Sequence, residues 1–156
     1  RAKQLGVQTS LDVGWAVDNF SDNSIAILRD TLQHTDIFFA NEREVCAITR
    51  IENVDDAIAE LLKWVSNLDF LLVLHRGESG SAIINSQCRK DIPAVFVEKP
   101  INPTGTGDVF NATFIYGIVN GYSNEDAAKI AARAASIHLA DINEIYPKKA
   151  SVLQKD

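Results

Sequence analysis

Short apolar runs that alternate with helical segments are the feature that most constrains the fold of this chain. Each run is too short for a helix and apolar on both faces, which is typical of a buried strand. The apolar runs predict strands at residues 36–40, 70–74, 81–84 and 92–97, and residues 8–13, which follow a turn at Gly6, are predicted to form a further strand. Such strands occur in parallel sheets that are covered on both faces, because neither face then meets water. The sequence therefore predicts an α/β, doubly wound and mostly parallel sheet.

The segments between these runs have helical periodicity. In one of them Ala57, Ile58, Leu61 and Leu62 recur at spacings of three and four, which places them on one helix face. The predicted helices cover residues 24–33, 42–49, 55–64, 108–119 and 125–139. The strands within residues 81–97 are predicted to form an antiparallel pair near one edge of the sheet.

Charge and cysteine content exclude several classes of function. The 156 residues include 15 Lys and Arg against 21 Asp and Glu, a net charge of −6. Nucleic acid and anionic membrane surfaces are therefore not expected partners, since phosphates need a basic face. The two cysteines provide neither a disulfide scaffold nor a metal-ligand spacing, which favours a reduced, cytoplasmic setting. We also expect the chain to be part of a longer polypeptide, because it contains no Met and opens in the middle of a βα unit.

The most informative motif is Asn-Pro-Thr-Gly-Thr-Gly-Asp at residues 102–108, between a strand and a helix. Its two glycines allow backbone N–H groups to turn inward at a helix N-terminus, where an anion can bind. Asp108 beside such an anion hole is placed to accept a proton from a hydroxyl that attacks a phosphoryl group. The alternative is that the glycines form a tight turn and Asp108 caps the helix.

Three stretches resemble the ribokinase-like, PfkB-type carbohydrate kinases. The loop at residues 102–108 is similar to the second signature of that family. The Asn-Glu-Arg-Glu sequence at residues 41–44, directly after a strand, resembles its Asn-x-x-Glu motif, and the i, i+3 spacing puts Asn41 and Glu44 on one helix face. Residues 74–80 resemble the turn that lines the ATP site in the family.

The resemblance covers the catalytic and nucleotide-binding C-terminal half of such a kinase, here residues 1–147, followed by a polar tail at residues 148–156. It implies phosphoryl transfer from ATP, with Mg²⁺, to a sugar or related alcohol. Asp108 would be the general base, and the amides of Gly105, Thr106 and Gly107 would form the anion hole. The residues implied in binding nucleotide are Asn41, Glu44, His75, Arg76, Gly77 and Gly80, with Glu44 binding Mg²⁺ through water. The missing N-terminal half, or a second copy of the chain, is the expected protein partner.

Several residues depart from the family pattern. Asn102 and Pro103 stand where the family has Asp and Thr, which puts in doubt a monovalent cation at Asn102 and Thr104. His75 could face solvent or contact phosphate, and Arg76 could grip phosphate or only be solvated. His34 and His138 are expected at the surface or at helix ends.

Three hypotheses follow from these observations. The first is a kinase of this family. The second is a kinase-like protein that binds nucleotide or a partner without catalysis, which Asn102, Pro103, His75 and Ala132 would explain. The third is an unrelated doubly wound binding domain whose Gly-Thr-Gly-Asp segment is a structural turn.

Overall fold

The computed structural model of the protein describes residues 1–141. Its strands are β1 (Ser10–Asp12), β2 (Ile37–Asn41), β3 (Leu71–His75), β4 (Ser81–Ile84) and β5 (Arg89–Ile92), which form one sheet in the order β1-β2-β3-β4-β5. Its helices are α1 (Asp22–Leu32), α2 (Glu42–Thr49), α3 (Val54–Lys63), α4 (Thr106–Val119) and α5 (Asn124–Ala140). None of the helices described is long and apolar enough to span a membrane. The polar tail predicted at residues 148–156 lies outside the described residues.

The parallel pairing of the first three strands confirms the predicted α/β sheet. β1 pairs in parallel with β2, and β2 pairs in parallel with β3, with Phe38 opposite Leu72 and Asn41 opposite His75. The first four residues of both β2 and β3 are buried. Their side chains are apolar on both faces, which is why the strands appear in the sequence as unbroken apolar runs.

The prediction of a strand at residues 92–97 is wrong. Among the described residues the last strand is β5, and residues 93–97 form no strand. Pro93 lacks the N–H that a ladder requires, so it ends the strand. Phe96 is 87% exposed, so its apolar side chain does not mark a core position. β4 and β5 are neighbours joined by only four residues, a link that permits an antiparallel pair but not a parallel crossover.

The described chain divides into two compact units. The first comprises Arg1–Arg76 with Ile84–Arg89, and the second comprises Gly77–Ile83 with the chain from Lys90 onward. In the first unit the helices begin at polar N-caps. Ser21 caps α1, Asn41 caps α2 and Asn53 caps α3, each through a side-chain oxygen that accepts a backbone N–H. These caps satisfy donors that the first helical turn leaves unpaired.

In the second unit, α4 and α5 pack closely through small side chains. A Cβ atom added at Gly117 would lie 2.7 Å from the Cβ of Ala127, so glycine is what allows this approach. The buried face of α5 is lined mostly by alanine, at Ala127, Ala128, Ala131, Ala134 and Ala135. Close packing of this kind places the end of α5 against the segment that precedes α4, where the backbone N–H groups of Ile101 and Asn102 both donate to the Leu139 carbonyl.

In the first unit, the carboxylate of Asp36 joins three separate segments. It accepts hydrogen bonds from the Thr9 amide at 2.8 Å and from Asn67 Nδ2 at 3.3 Å, and it forms an ion pair with Lys3. Partial burial raises the pKa of Asp36, but the hydrogen bonds from Lys3 and Thr9 outweigh it and hold that pKa below its ordinary value. The ionised carboxylate therefore stabilises the start of β1 against β2.

The turn between β3 and β4 contains two glycines with different steric surroundings. Gly80 has φ +89°, and a Cβ atom there would lie 2.1 Å from the Ile92 carbonyl oxygen and 2.5 Å from the Ala94 nitrogen. Gly77 has φ +55°, but a Cβ atom there would meet open space. Both positions favour glycine by conformation, and only Gly80 also requires it for space.

Asp36→Asn should lower the free energy of unfolding by about 1–2 kcal/mol at pH 7, because a charged acceptor is lost. A carboxyl with a lowered folded-state pKa stabilises the fold above its unfolded-state pKa of about 3.9, and this contribution is lost as pH falls through the folded-state value. Denaturant titrations between pH 7 and pH 3 should show the two proteins converging at low pH. Asp69→Asn, at an exposed position, is the control. A pH-independent difference would contradict this account.

Gly80→Ala should destabilise the protein by about 2 kcal/mol or more, because the new methyl group would overlap backbone atoms of Ile92 and Ala94. Gly77→Ala should lower the free energy of unfolding by about 1 kcal/mol, because only the conformational penalty of the left-handed backbone applies there. Thermal unfolding of both variants measures the difference. Equal costs at the two positions would mean that the close approach at Gly80 is not rigid.

Candidate functional site

The loop at residues 102–108 leads directly into α4. Gly105 is the N-cap of the helix, with φ +81°, a left-handed conformation that glycine adopts readily. The N-caps of α1, α2, α3 and α5 each accept a backbone N–H through a side-chain oxygen, whereas α4 has no side-chain cap among the described residues. The alternative in which Asp108 caps this helix is therefore wrong. Asp108 is the third residue of α4 and lies in its first turn.

Three amides at this helix start are open. Within residues 1–141, no acceptor pairs with the backbone N–H of Gly105, Gly107 or Asp108. The Thr106 amide donates to the Pro103 carbonyl at 3.3 Å, so the open set differs by one residue from the predicted Gly105, Thr106 and Gly107. Open N–H groups at the positive end of a 14-residue helix can bind an anion.

The carboxylate of Asp108 lies beside the same loop. A Cβ atom built on Gly105 would be 4.0 Å from Asp108 Oδ2, and the Asp108 residue is exposed. A carboxylate in this place can accept a proton from a group that approaches the open amides.

The carbonyls of the loop are held by the protein. The Asn102 carbonyl accepts from Thr106 Oγ1 at 3.2 Å, and the Gly105 carbonyl accepts from the Val109 amide at 2.9 Å. The Thr104 carbonyl lies 2.8 Å from Nε2 of His138. The carbonyls of the loop are thus engaged, whereas three amides at the helix start have no acceptor among the described residues.

His138 lies at a helix end, as predicted, but it is not at the surface. It is in the last turn of α5 and only 4% exposed, with its ring against the loop. Its spacing could have revealed this, because Ala127, Ala131, Ala134 and His138 recur at four, three and four and share the buried face. His34 follows α1 and is exposed, as predicted.

Asn41 and Glu44 form a reciprocal pair where β2 enters α2. The Glu44 amide donates to Asn41 Oδ1 at 2.9 Å, and the Asn41 amide donates to Glu44 Oε2 at 2.8 Å. This capping box holds both side chains on one side of the helix start, as their spacing predicts. Glu44 is 7% exposed, and its second oxygen, Oε1, has no protein partner among the described residues.

His75 and Arg76 lie at the end of the neighbouring strand. His75 is opposite Asn41 in the register of β2 and β3, and its ring stacks on Phe39 with the centroids 6.5 Å apart. Arg76 Nε lies 3.2 Å from Glu42 Oε1 in an ion pair. The carboxyl ends of β2 and β3 therefore lie side by side, at the edge of the sheet where α/β proteins bind ligands. The polar residues brought together there are Asn41, Glu42, His75 and Arg76.

Gly77 and Gly80 shape the turn that follows, and the close approach at Gly80 shows a structural requirement independent of any ligand. Residues 1–141 contain no group of three or more His, Cys, Asp or Glu side chains that could by itself hold a metal ion. A metal at this site would therefore need ligands from water or substrate in addition to Glu44.

Comparisons with known proteins agree with this geometry. The family described as pfkB family carbohydrate kinase matches residues 6–150. A cytidine kinase of Thermococcus kodakarensis is 33% identical over 111 residues, which cover 70% of this chain and 38% of that protein. A nucleoside kinase of Methanocaldococcus jannaschii is 30% identical over 127 residues, which cover 81% of this chain and 39% of that protein.

The structure of Arabidopsis thaliana ribokinase complexed with ribose and ATP superposes with a TM-score of 0.82 at 28% identity, over 97% of this chain and 48% of that one. The chain spans about two fifths of the length of the curated relatives above. Since the family match extends over nearly all of its residues and includes both the loop before α4 and the Asn41–Glu44 pair, the chain belongs to the pfkB family of carbohydrate kinases.

Proposed function

We propose that this chain forms the nucleotide-binding and catalytic part of an ATP-dependent kinase that phosphorylates a hydroxyl group of a sugar or nucleoside. The observation that carries the proposal is the uncapped start of α4, where three open amides lie beside an exposed aspartate. The relatives named as cytidine kinase, nucleoside kinase and ribokinase support this substrate class.

The open amides would stabilise the phosphoryl group during transfer. Negative charge spreads over the equatorial oxygens of that group, and catalysis consists mostly of positioning and charge stabilisation. N–H groups held in place beforehand need no reorganisation when the charge develops, so their effect is large. The amides of Gly105, Gly107 and Asp108 would supply these donors.

Asp108 would act as the general base. Its carboxylate accepts the proton of the substrate hydroxyl as the oxygen attacks the γ-phosphorus, while the bond from that phosphorus to the bridging oxygen of ATP breaks and ADP leaves. Positioned proton transfer of this kind typically contributes about 10²- to 10⁴-fold to the rate.

Asn41 and Glu44 would bind the nucleotide phosphates and Mg²⁺. Oxygen donors suit this ion, which usually keeps several waters and binds through one or two carboxylates plus substrate phosphates. Glu44 Oε1 fits this role through water, because Oε2 is already engaged by the Asn41 amide. When bound, Mg²⁺ would neutralise phosphate charge. His75, Arg76 and the glycine turn would line the nucleotide site.

The proposal includes no monovalent cation at Asn102 and Thr104. Asn102 contributes no negative charge there, and the Thr104 carbonyl is engaged by His138. The proposed setting is the cytoplasm, where ATP is available, and the proposed protein partner is the rest of a longer polypeptide or a second copy of this chain. Exposed apolar side chains at Leu5, Val7 and Val17 support such a contact.

Asp108→Asn should lower kcat by at least about 10²-fold, because the amide cannot accept the proton. ATP affinity should stay within about twofold, since the open amides remain. Coupled-enzyme kinetics on a panel of sugars and nucleosides, with the natural polypeptide that contains this chain, measures both quantities. Asp56→Asn is the matched control, an exposed aspartate in the first turn of α3. Unchanged turnover in Asp108→Asn would remove Asp108 from its role.

Mg-ATP should stabilise the same polypeptide against heat. A ligand at a hundredfold excess over its Kd raises the free energy of unfolding by about 2.7 kcal/mol. Differential scanning fluorimetry with Mg-ATP, compared with Mg²⁺ alone, measures this effect. The absence of a shift at millimolar ATP would contradict nucleotide binding and favour a structural turn at residues 102–108. A shift without turnover on any substrate would favour the non-catalytic alternative.

A further inference from the structure

The peptide that joins Thr104 to Gly105 is held by a buried histidine. Nε2 of His138 lies 2.8 Å from the Thr104 carbonyl oxygen, and His138 is 4% exposed. A carbonyl oxygen only accepts, so this hydrogen bond requires a hydrogen on Nε2. The ring also lies close to Gly105: a Cβ atom added there would be 3.6 Å from Nε2.

This bond also determines the direction of the Gly105 N–H group. The C=O and N–H groups of one trans peptide lie in a single plane and point in opposite directions. When the Thr104 carbonyl points toward His138, the Gly105 N–H must point away from it. That N–H is one of the open amides at the start of α4.

Without such a restraint, this peptide plane could rotate at little steric cost. Rotation changes ψ of Thr104 and φ of Gly105 together, and glycine accepts φ of either sign. The neighbouring bonds do not prevent it. Thr106 Oγ1 holds the Asn102 carbonyl, and the Val109 amide holds the Gly105 carbonyl, which belongs to the following peptide.

We propose that His138 is a positioning residue, which holds the Thr104–Gly105 peptide so that the Gly105 amide faces the transferred phosphoryl group. This inference rests on the proposed function, since it assigns His138 to the same anion hole. His138 contacts the Thr104 carbonyl, on the side of the peptide opposite the Gly105 N–H, so the proposed role is one of positioning. Its removal should therefore reduce charge stabilisation in the transition state more than it affects ATP binding.

Kinetics of two variants in the natural polypeptide test the proposal. Loss of one oxyanion donor lowers kcat by about 10²- to 10³-fold. Without His138 the Thr104–Gly105 peptide would rotate only part of the time, so the loss in kcat should be smaller. His138→Leu should therefore lower kcat by about 10- to 100-fold, with KM for ATP within about threefold. His138→Gln, which retains a side-chain N–H donor, should recover most of the loss. His34→Leu, at an exposed position, is the control and should match the wild type.

A wild-type kcat in His138→Leu would overturn the proposal. So would a folded His138→Gln that is no more active than His138→Leu. If the variants do not fold, ¹⁵N NMR of the histidine rings in the wild type decides the question. Hydrogen on Nε2 of His138 supports the proposal, and a neutral ring with its hydrogen on Nδ1 overturns it.

These outcomes separate the proposal from the proposed function. Full activity in His138→Leu, together with an inactive Asp108→Asn, would overturn the role of His138 and leave the kinase function in place. If the wild type transfers no phosphoryl group to any substrate, the kinase function fails. The proposed role of His138 in an anion hole is then overturned with it, even if the ring tautomer shows that the hydrogen bond to Thr104 is present.

Discussion

The central physical constraint in this protein is the set of backbone donors left open at the start of α4. An α-helix begins with N–H groups that have no partner within the helix, and proteins usually satisfy some of them with a side chain at the N-cap. Ser21, Asn41, Asn53 and Ser123 do so for the other four helices of the described chain. At α4 the N-cap is Gly105, which has no side chain to offer, so the positive end of the helix remains available to an anion.

Hydrogen bonds to the carbonyls of the same loop keep those open N–H groups in position. Each carbonyl from Asn102 to Gly105 has a hydrogen-bond partner, and these partners come from α4 itself, from the Thr106 side chain and from His138 on α5. The arrangement depends on the close packing of α4 against α5, which Gly117 and the alanines of α5 permit. A helix interface made of small residues thus supports the geometry of the loop at residues 102–108.

Much of the fold and of the candidate site could be predicted from sequence because the relevant signals are local. The periodicity of residues 42–49 and the Asn-x-x-Glu spacing predict α2 and its paired side chains, and the structure shows both. The strand prediction was wrong where an apolar pattern and a strand-ending proline occur in the same segment. Residues 92–97 are apolar enough for a strand, but Pro93 cannot donate to a ladder and Phe96 faces solvent. The apolar pattern alone does not distinguish a buried strand from an exposed loop.

The sequence by itself determined the alternation of strands and helices, the glycine loop before α4 and the family to which the chain belongs. These depend on residue type and spacing along the chain. Only the tertiary structure decided which amides of the loop are open, that Glu44 keeps one carboxylate oxygen unpaired by protein, and that His138 is buried against Thr104. The physical reason is that a hydrogen bond between residues 34 positions apart depends on how two helices pack, and spacing within either helix does not specify it.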